Sequence, residues 1–268
     1  MGKNEFVSER HTTSGNKRSN KAFVEEELYK SAFGIISNVL QLVGTDYVRH
    51  TDLAFKYIAR PYNGKLRARV IIMENDSNMS GTYQHLVNER ERILKTDPRH
   101  KNVKIINDDI MGCSSYRFED LDFCGNPTTD GRLILERFKD QITTYQNPKY
   151  RKAMIFTISE RGASRKKVFK FLQDMLSCVG AELIGMNSEE GAWLTKSQSI
   201  QKGKPYGKSV HTTEGKLRYK SPIRAYEARP MFKTKGNKLR DFKVFNYRDS
   251  NHIDNGTACM VTGIIVYR

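Results

Sequence analysis

Residues 107–126 read NDDIMGCSSYRFEDLDFCGN, and this stretch decides the fold. Each half closes an apolar run with acid. Ile105-Ile106 leads into Asn107-Asp108-Asp109, and Phe118-Glu119-Asp120-Leu121-Asp122 leads into Phe123-Cys124-Gly125. Buried strands that end in carboxylates suit an open α/β sheet, whose ligand crevice lies outside the carboxyl ends of its strands. The acid stands out because the chain is basic, with 46 Lys+Arg against 30 Asp+Glu and a formal net charge of +16.

Working outward, residues 68–74 (ARVIIME) form a nearly continuous apolar run of strand length, as expected of a strand buried on both faces, and it too ends in acid. Residues 38–43 read as a strand closed by Gly44, and residues 103–106, 116–123 and 152–159 as three more. Between them the 3.6-residue apolar period predicts helices over 80–95, 131–145 and 164–179, and Thr51 is placed to cap another. A helix over 23–37 would use Phe23, Leu28, Phe33 and Ile36 as its apolar face, and residues 181–184 read as a short strand. The alternation predicts an α/β fold: a doubly wound, mostly parallel seven-stranded sheet. Residues 242–247 and 260–267 have no helix between them, so they are expected to pair as a C-terminal antiparallel hairpin at the sheet's end.

Residues 1–22 read as a polar basic tail and 23–268 as a single domain with a basic insertion at about 190–240. From 195 to 240 there are thirteen Lys+Arg against Glu214 and Glu227, so this segment holds +11 of the +16. Tyr206, Tyr219, Tyr226 and Phe232 are interleaved among the cations, a mixture that suits phosphates and stacked bases. Lys202, Lys204, Lys208, Lys216, Arg218, Lys220 and Arg224 are the candidate nucleic-acid contacts. No segment approaches the roughly 18 apolar residues of a membrane span. The N-terminus has no apolar signal core, and Cys113, Cys124, Cys178 and Cys259 fall into no zinc spacing. A cytoplasmic protein with reduced thiols, no metal site and no membrane partner is expected.

The element order and acidic strand ends resemble the class I S-adenosylmethionine-dependent methyltransferases over roughly residues 35–268. The resemblance implies S-adenosylmethionine as cofactor. It implies that Gly44 belongs to the cofactor loop, where the family usually has two or three glycines and this chain has one. It places Glu74, followed by Asp76, where an acid holds the ribose hydroxyls, and Asp108 or Asp109 where the adenine amine is bound. Asp120-Leu121-Asp122-Phe123-Cys124-Gly125 is similar to the D-x-D-P-F-G pattern of tRNA guanine-N2 methyltransferases and to the D/N-P-P-Y/F motif of amino-methylating enzymes, without their prolines. Asp120, Asp122 and Phe123 are therefore the expected catalytic residues, with Asp122 accepting from an exocyclic N–H and Phe123 stacking on the base.

The expected activity is methyl transfer to nucleic acid, RNA favoured over DNA. The lone glycine favours an alternative, an inactive methyltransferase-like scaffold that binds nucleic acid or a protein. It also leaves room for a protein partner or a homo-oligomer. A second alternative is a metal-dependent transferase using Asp120-x-Asp122.

Overall fold

The structure is a computed structural model. It describes residues 15–44, 47–59, 68–75, 81–123, 125–159, 165–188, 191–192, 208–210, 225–236, 238–247 and 260–268. In chain order the elements are α1 (Gly15–Ser31), β1 (Val39–Leu42), α2 (Tyr47–Tyr57), β2 (Val70–Glu74), α3 (Thr82–Leu94), β3 (Val103–Asn107), β4 (Phe118–Asp122), α4 (Asp130–Thr144), β5 (Lys152–Ser159), α5 (Arg165–Cys178), β6 (Ala181–Ser188), β7 (Gly191–Ala192), β8 (Lys208–Val210), β9 (Ala225–Thr234), β10 (Leu239–Tyr247) and β11 (Met260–Tyr267). Short 3-10 turns cover Pro98–Asn102 and Ile110–Gly112.

The sheet order is β3-β2-β1-β4-β5-β11-β10-β9-β6-β7, with β8 paired to β9. β3, β2, β1, β4 and β5 are mutually parallel. β11 is antiparallel to β5 and β10 antiparallel to β11, so β10 runs with the parallel set. These seven strands are the doubly wound sheet expected from the sequence. α1, α2 and α3 supply the apolar side chains that cover one face, among them Leu28, Phe55 and Leu86. α4 and α5 cover the other with Ile134, Phe138, Leu172 and Met175.

Two sequence expectations need correction. The β10–β11 pair forms, but it lies inside the sheet between β5 and β9 rather than at its end. The reason is apolarity on both faces: every residue of β11 is buried, as is every residue of β5, and such strands need neighbours on both sides. β6 does not return to the parallel set but pairs antiparallel with β9. β9 itself lies in the basic segment that reads as an insertion. It pairs with β10 through Ala225–Ala228 and with β6 from Arg229 onward, so Pro230 sits just past the change of partner. A proline in a run normally argues against an interior strand because it has no N–H to donate.

Helix ends also move. α1 begins at Gly15 and ends at Ser31, so Phe33 and Ile36 leave the expected apolar face and are exposed, while Leu28 is buried. Thr51 lies inside α2 rather than at its cap, and is buried.

On the α4 side, Arg137 locks the β3–β4 connection. Its Nη2 donates to Glu119 Oε1 at 2.8 Å and its Nη1 to the Cys113 carbonyl at 2.7 Å, while Glu119 Oε1 also accepts the Tyr116 N–H at 2.8 Å. Burial pushes the Glu119 carboxyl up to about 7, against the pull of Arg137.

The β5–β11–β10 seam is packed too tightly for one extra carbon. A Cβ on Gly263 would stand 2.6 Å from Phe156 Cζ and 2.9 Å from the Lys243 carbonyl oxygen. Gly263→Ala is expected to destabilise the protein by about 1–3 kcal/mol through overpacking. Urea unfolding would register this as a lower midpoint at unchanged slope.

Candidate functional site

In β1, β2 and β4 only the final residue is half-buried, so these strands emerge from the core at Leu42, Glu74 and Asp122. Gln41 is level with Ile72 on one side and Asp120 on the other. Two residues further on, Glu74 and Asp122 therefore stand level with each other. They flank the turn after β1 at roughly two strand spacings, about 10 Å. Gly44 in that turn has φ 52°, the left-handed region that favours glycine, and among the described residues nothing lies within 4 Å of where a Cβ would point. The backbone here leaves open space in front of it.

The remaining expected site residues divide. The Asp108 N–H donates to the Glu74 carbonyl at 3.1 Å, prolonging the β2–β3 ladder. Asp109 caps the Ile110–Gly112 turn, its carboxylate accepting the Met111 N–H at 2.9 Å. Both aspartates are exposed beside Glu74. Phe123 packs against the α4–α5 core, on the face opposite Asp120. Gly125 has a packing role: its carbonyl accepts the Ser159 N–H at 2.6 Å, and a Cβ would fall 1.5 Å from Asp130 Oδ2. Asp76, Lys202, Lys204, Lys216, Arg218, Lys220 and Arg224 lie outside the described residues, and Lys208 opens β8.

Asp120 has a different setting from Asp122. It is buried, and its Oδ2 accepts from the Tyr29 hydroxyl at 2.6 Å and meets His50 Nδ1 at 2.7 Å. Gln41 Nε2 donates to the Tyr29 oxygen at 2.8 Å and to the His50 carbonyl at 3.0 Å. Across the imidazole, His50 Nε2 lies 3.0 Å from Glu25 Oε1, and Arg49 Nε lies 2.7 Å from Glu25 Oε2. A chain of charge thus runs from α1 through α2 to β4. Burial opposes a charge on His50, but the carboxylates of Glu25 and Asp120 outweigh it and push the imidazole up to about 10. Burial and the Asp120 charge hold the Tyr29 phenol well above its ordinary value, so it remains a donor.

Asp120 therefore ties the imidazolium of α2 and the phenol of α1 to β4. Ligand atoms of Glu25, His50 and Asp122 lie within 4.8 Å of one another. The imidazolium already supplies positive charge there. The sequence reading missed Glu25, Tyr29, Gln41 and His50. The available signal was Gln41, an amide inside the apolar run VLQL, since a buried amide requires partners.

The sign of the His50 effect follows from linkage. Its folded value lies above the ordinary 6.5, so the folded state holds the extra proton between the two values. The stabilisation is complete below about pH 6.5 and is lost as pH rises through about 10. Wild-type stability is expected to fall between pH 7 and pH 10. His50→Gln is expected to flatten that slope and to cost about 3 kcal/mol at neutral pH, by leaving buried carboxylates uncompensated. Urea unfolding across this range tests both, and an imidazole found neutral by NMR at pH 7 would refute the assignment.

No protein-family model matches the chain, and no curated protein matches it. Solved structures do. The precorrin-6y C5,15-methyltransferase of Geobacter metallireducens GS-15 is matched with TM-score 0.42 at 10% identity, over 91% of this chain and 88% of that one. The N-methyltransferase NodS of Bradyrhizobium japonicum WM9, in complex with S-adenosyl-l-homocysteine, is matched with TM-score 0.43 at 10% identity, over 98% and 93%. The 23S rRNA methyltransferase ErmE is matched with TM-score 0.35 at 12% identity, over 68% and 69%.

Proposed function

We propose that this chain is an S-adenosylmethionine-dependent methyltransferase acting on nucleic acid, RNA in preference to DNA. The observation that carries the reading is the arrangement at the strand ends. An open left-handed glycine turn follows β1, with Glu74 and Asp122 level on either side of it. The residues fit the cofactor. Glu74 can accept hydrogen bonds from two adjacent ribose hydroxyls, Asp108 stands beside it for an exocyclic amine, and the backbone at Gly44 leaves room for close approach.

When bound, the cofactor supplies an electrophilic methyl on a sulfonium. The chain's own work is then positioning and proton acceptance. Asp122, at the half-buried end of β4, accepts from the attacking N–H. Asp120, His50 and Tyr29 hold β4 and the α1–α2 layer in register beneath it. Phe123, packed in the α4–α5 core, is not assigned to base stacking. The nucleic-acid half of the reading rests on the net charge and on the segment at about 190–240, read as the substrate-binding insertion of a single domain.

One further reading has its own support. α2 begins at Tyr47, so the turn after β1 is short and has a single glycine, which favours a cofactor-free scaffold. The metal-dependent transferase has less support, because Asp120 Oδ2 is already engaged by Tyr29 and His50.

Calorimetry with S-adenosylhomocysteine separates enzyme from scaffold: binding is expected, and Glu74→Ala is expected to abolish it. Asp122→Ala should retain cofactor affinity and lose methyl transfer to RNA by about 100-fold or more. Absence of cofactor binding by the wild-type chain would leave the scaffold. A second test concerns the basic segment. Neutralising Lys202, Lys204, Lys216 and Lys220 together is expected to weaken RNA binding and lower its salt slope by roughly three to four. Unchanged affinity would remove that segment from the interface.

A further inference from the structure

The amino ends of the parallel strands carry the opposite charge from their carboxyl ends. Arg69 precedes β2, Arg117 precedes β4, Arg151 precedes β5 and Lys152 opens it. On the antiparallel neighbours, Arg268 follows β11 and Lys238 precedes β10. Register puts all six on one edge, since Val39 pairs with Val70 and Phe118, Phe118 with Ala153, Lys152 with Tyr267, and Tyr267 with Leu239. From β2 to β10 the row crosses five strand spacings, roughly 24 Å.

These cations differ from others in the molecule. Lys30, Arg49, Lys56, Arg92, Arg99 and Arg137 each stand within ion-pair distance of a carboxylate. Among the described residues none of the six edge cations does. Their side-chain hydrogen bonds go to carbonyls: Arg117 to Ile36 at 2.6 Å, Arg151 to Phe33 at 3.2 Å and to Ser31 at 3.4 Å. Lys152 is 2% exposed, and its ammonium lies 5.4 Å from the Tyr267 ring centroid. Lys238 and Arg117 are close enough that, after burial, their charges depress its basicity. Like charges gathered in this way repel one another, and an external anion would relieve that.

Exposed rings border the row. Phe33 is 55% and Tyr150 52% exposed, and Arg117 lies 5.0 Å from the Tyr150 centroid. Cations in line with a ring at their side match a linear polyanion carrying bases.

We infer that this edge is a docking surface for the phosphate backbone of nucleic acid, distinct from the candidate contacts at 202–224 and at the opposite end of the sheet from the acidic strand ends. β5 spans Lys152–Ser159, so at about 3.3 Å per residue edge and crevice stand roughly 25 Å apart. A nucleic acid that touches both is long or folded, and a mononucleotide cannot do it. That the docked nucleic acid is also the substrate rests on the reading above; the docking itself does not.

The test uses the full chain with Arg69, Lys238 and Arg268 all changed to Gln. Among the described residues no side-chain hydrogen bond is lost in this triple variant, and an unchanged melting temperature would confirm that the fold is intact. Fluorescence anisotropy with a labelled single-stranded RNA and an RNA duplex, across a salt series, reads the outcome. The slope of log K against log salt is expected to become shallower by about two to three, with affinity at physiological salt lower by roughly 10- to 100-fold. Affinity for S-adenosylhomocysteine is expected to stay as in the wild type. Equal slopes and affinities in variant and wild type overturn the surface alone. A wild-type chain that binds neither RNA nor DNA overturns the surface and the nucleic-acid substrate together. A loss confined to phosphatidylserine vesicles, with RNA binding unmoved, overturns it in favour of a membrane.

Discussion

The structure depends on one buried chain of charge. Glu25 on α1, His50 on α2 and Asp120 on β4 stand in line, with ring nitrogen to carboxylate distances of 3.0 and 2.7 Å. Sequestering these groups is costly, and the cost is recovered only while all three are in place and hydrogen-bonded. Tyr29 and Gln41 add further hydrogen bonds around Asp120. The interaction therefore does more than stabilise. It specifies which residues of α1 and α2 lie over β4, and so where the helical layer stops and the crevice begins. An apolar contact between the same elements would tolerate sliding; a charge fixed between two carboxylates does not.

From that anchor the sheet acquires polarity. Parallel strands put all their carboxyl ends on one side, so acids that follow each apolar run are gathered there: Glu74, Asp108 and Asp122. The same geometry gathers at the other side whatever precedes each run, and in this chain that is Arg69, Arg117, Arg151 and Lys152. An antiparallel sheet would mix the two sets. The separation of acidic strand ends from a basic edge follows from strand direction combined with the charge that stands before and after each strand.

The sequence alone reveals this order, and hence the parallel half of the fold, because β2 and β5 are short apolar runs with charge at their ends and β4 follows a basic residue and ends in acid. It reveals less where stability comes from side chains distant in sequence. His50 lies in an amphipathic helix and Glu25 in an acidic run, and nothing local marks either as buried. Their burial depends on meeting Asp120, which is 70 residues from His50. The interior placement of β10 and β11 was hidden for a related reason. Apolarity on both faces says that a strand has two neighbours but not which, and β9 is disguised by Pro230 and by its cations. The motif gives order along the chain, whereas alternation along the strand decides the face: Asp120 turns to α1 and α2, and Phe123 to α4 and α5.

Asp120 and Asp122 show how burial divides labour between identical side chains. They share a strand and a face, and from the sequence they are interchangeable. Two residues of rise, roughly 7 Å, carry the second to the half-buried end of the strand. Asp120 meets a phenol and an imidazolium and gives up the chance to act on a ligand. Asp122 ends the strand half-buried, its carboxylate within 4.8 Å of ligand atoms of Glu25 and His50. Exchanging their roles would require moving α1 along the sheet, and the His50 chain prevents that. The different settings of the two carboxylates thus follow from the helix-to-strand contacts, which close over Asp120 and leave the end of β4 half-buried.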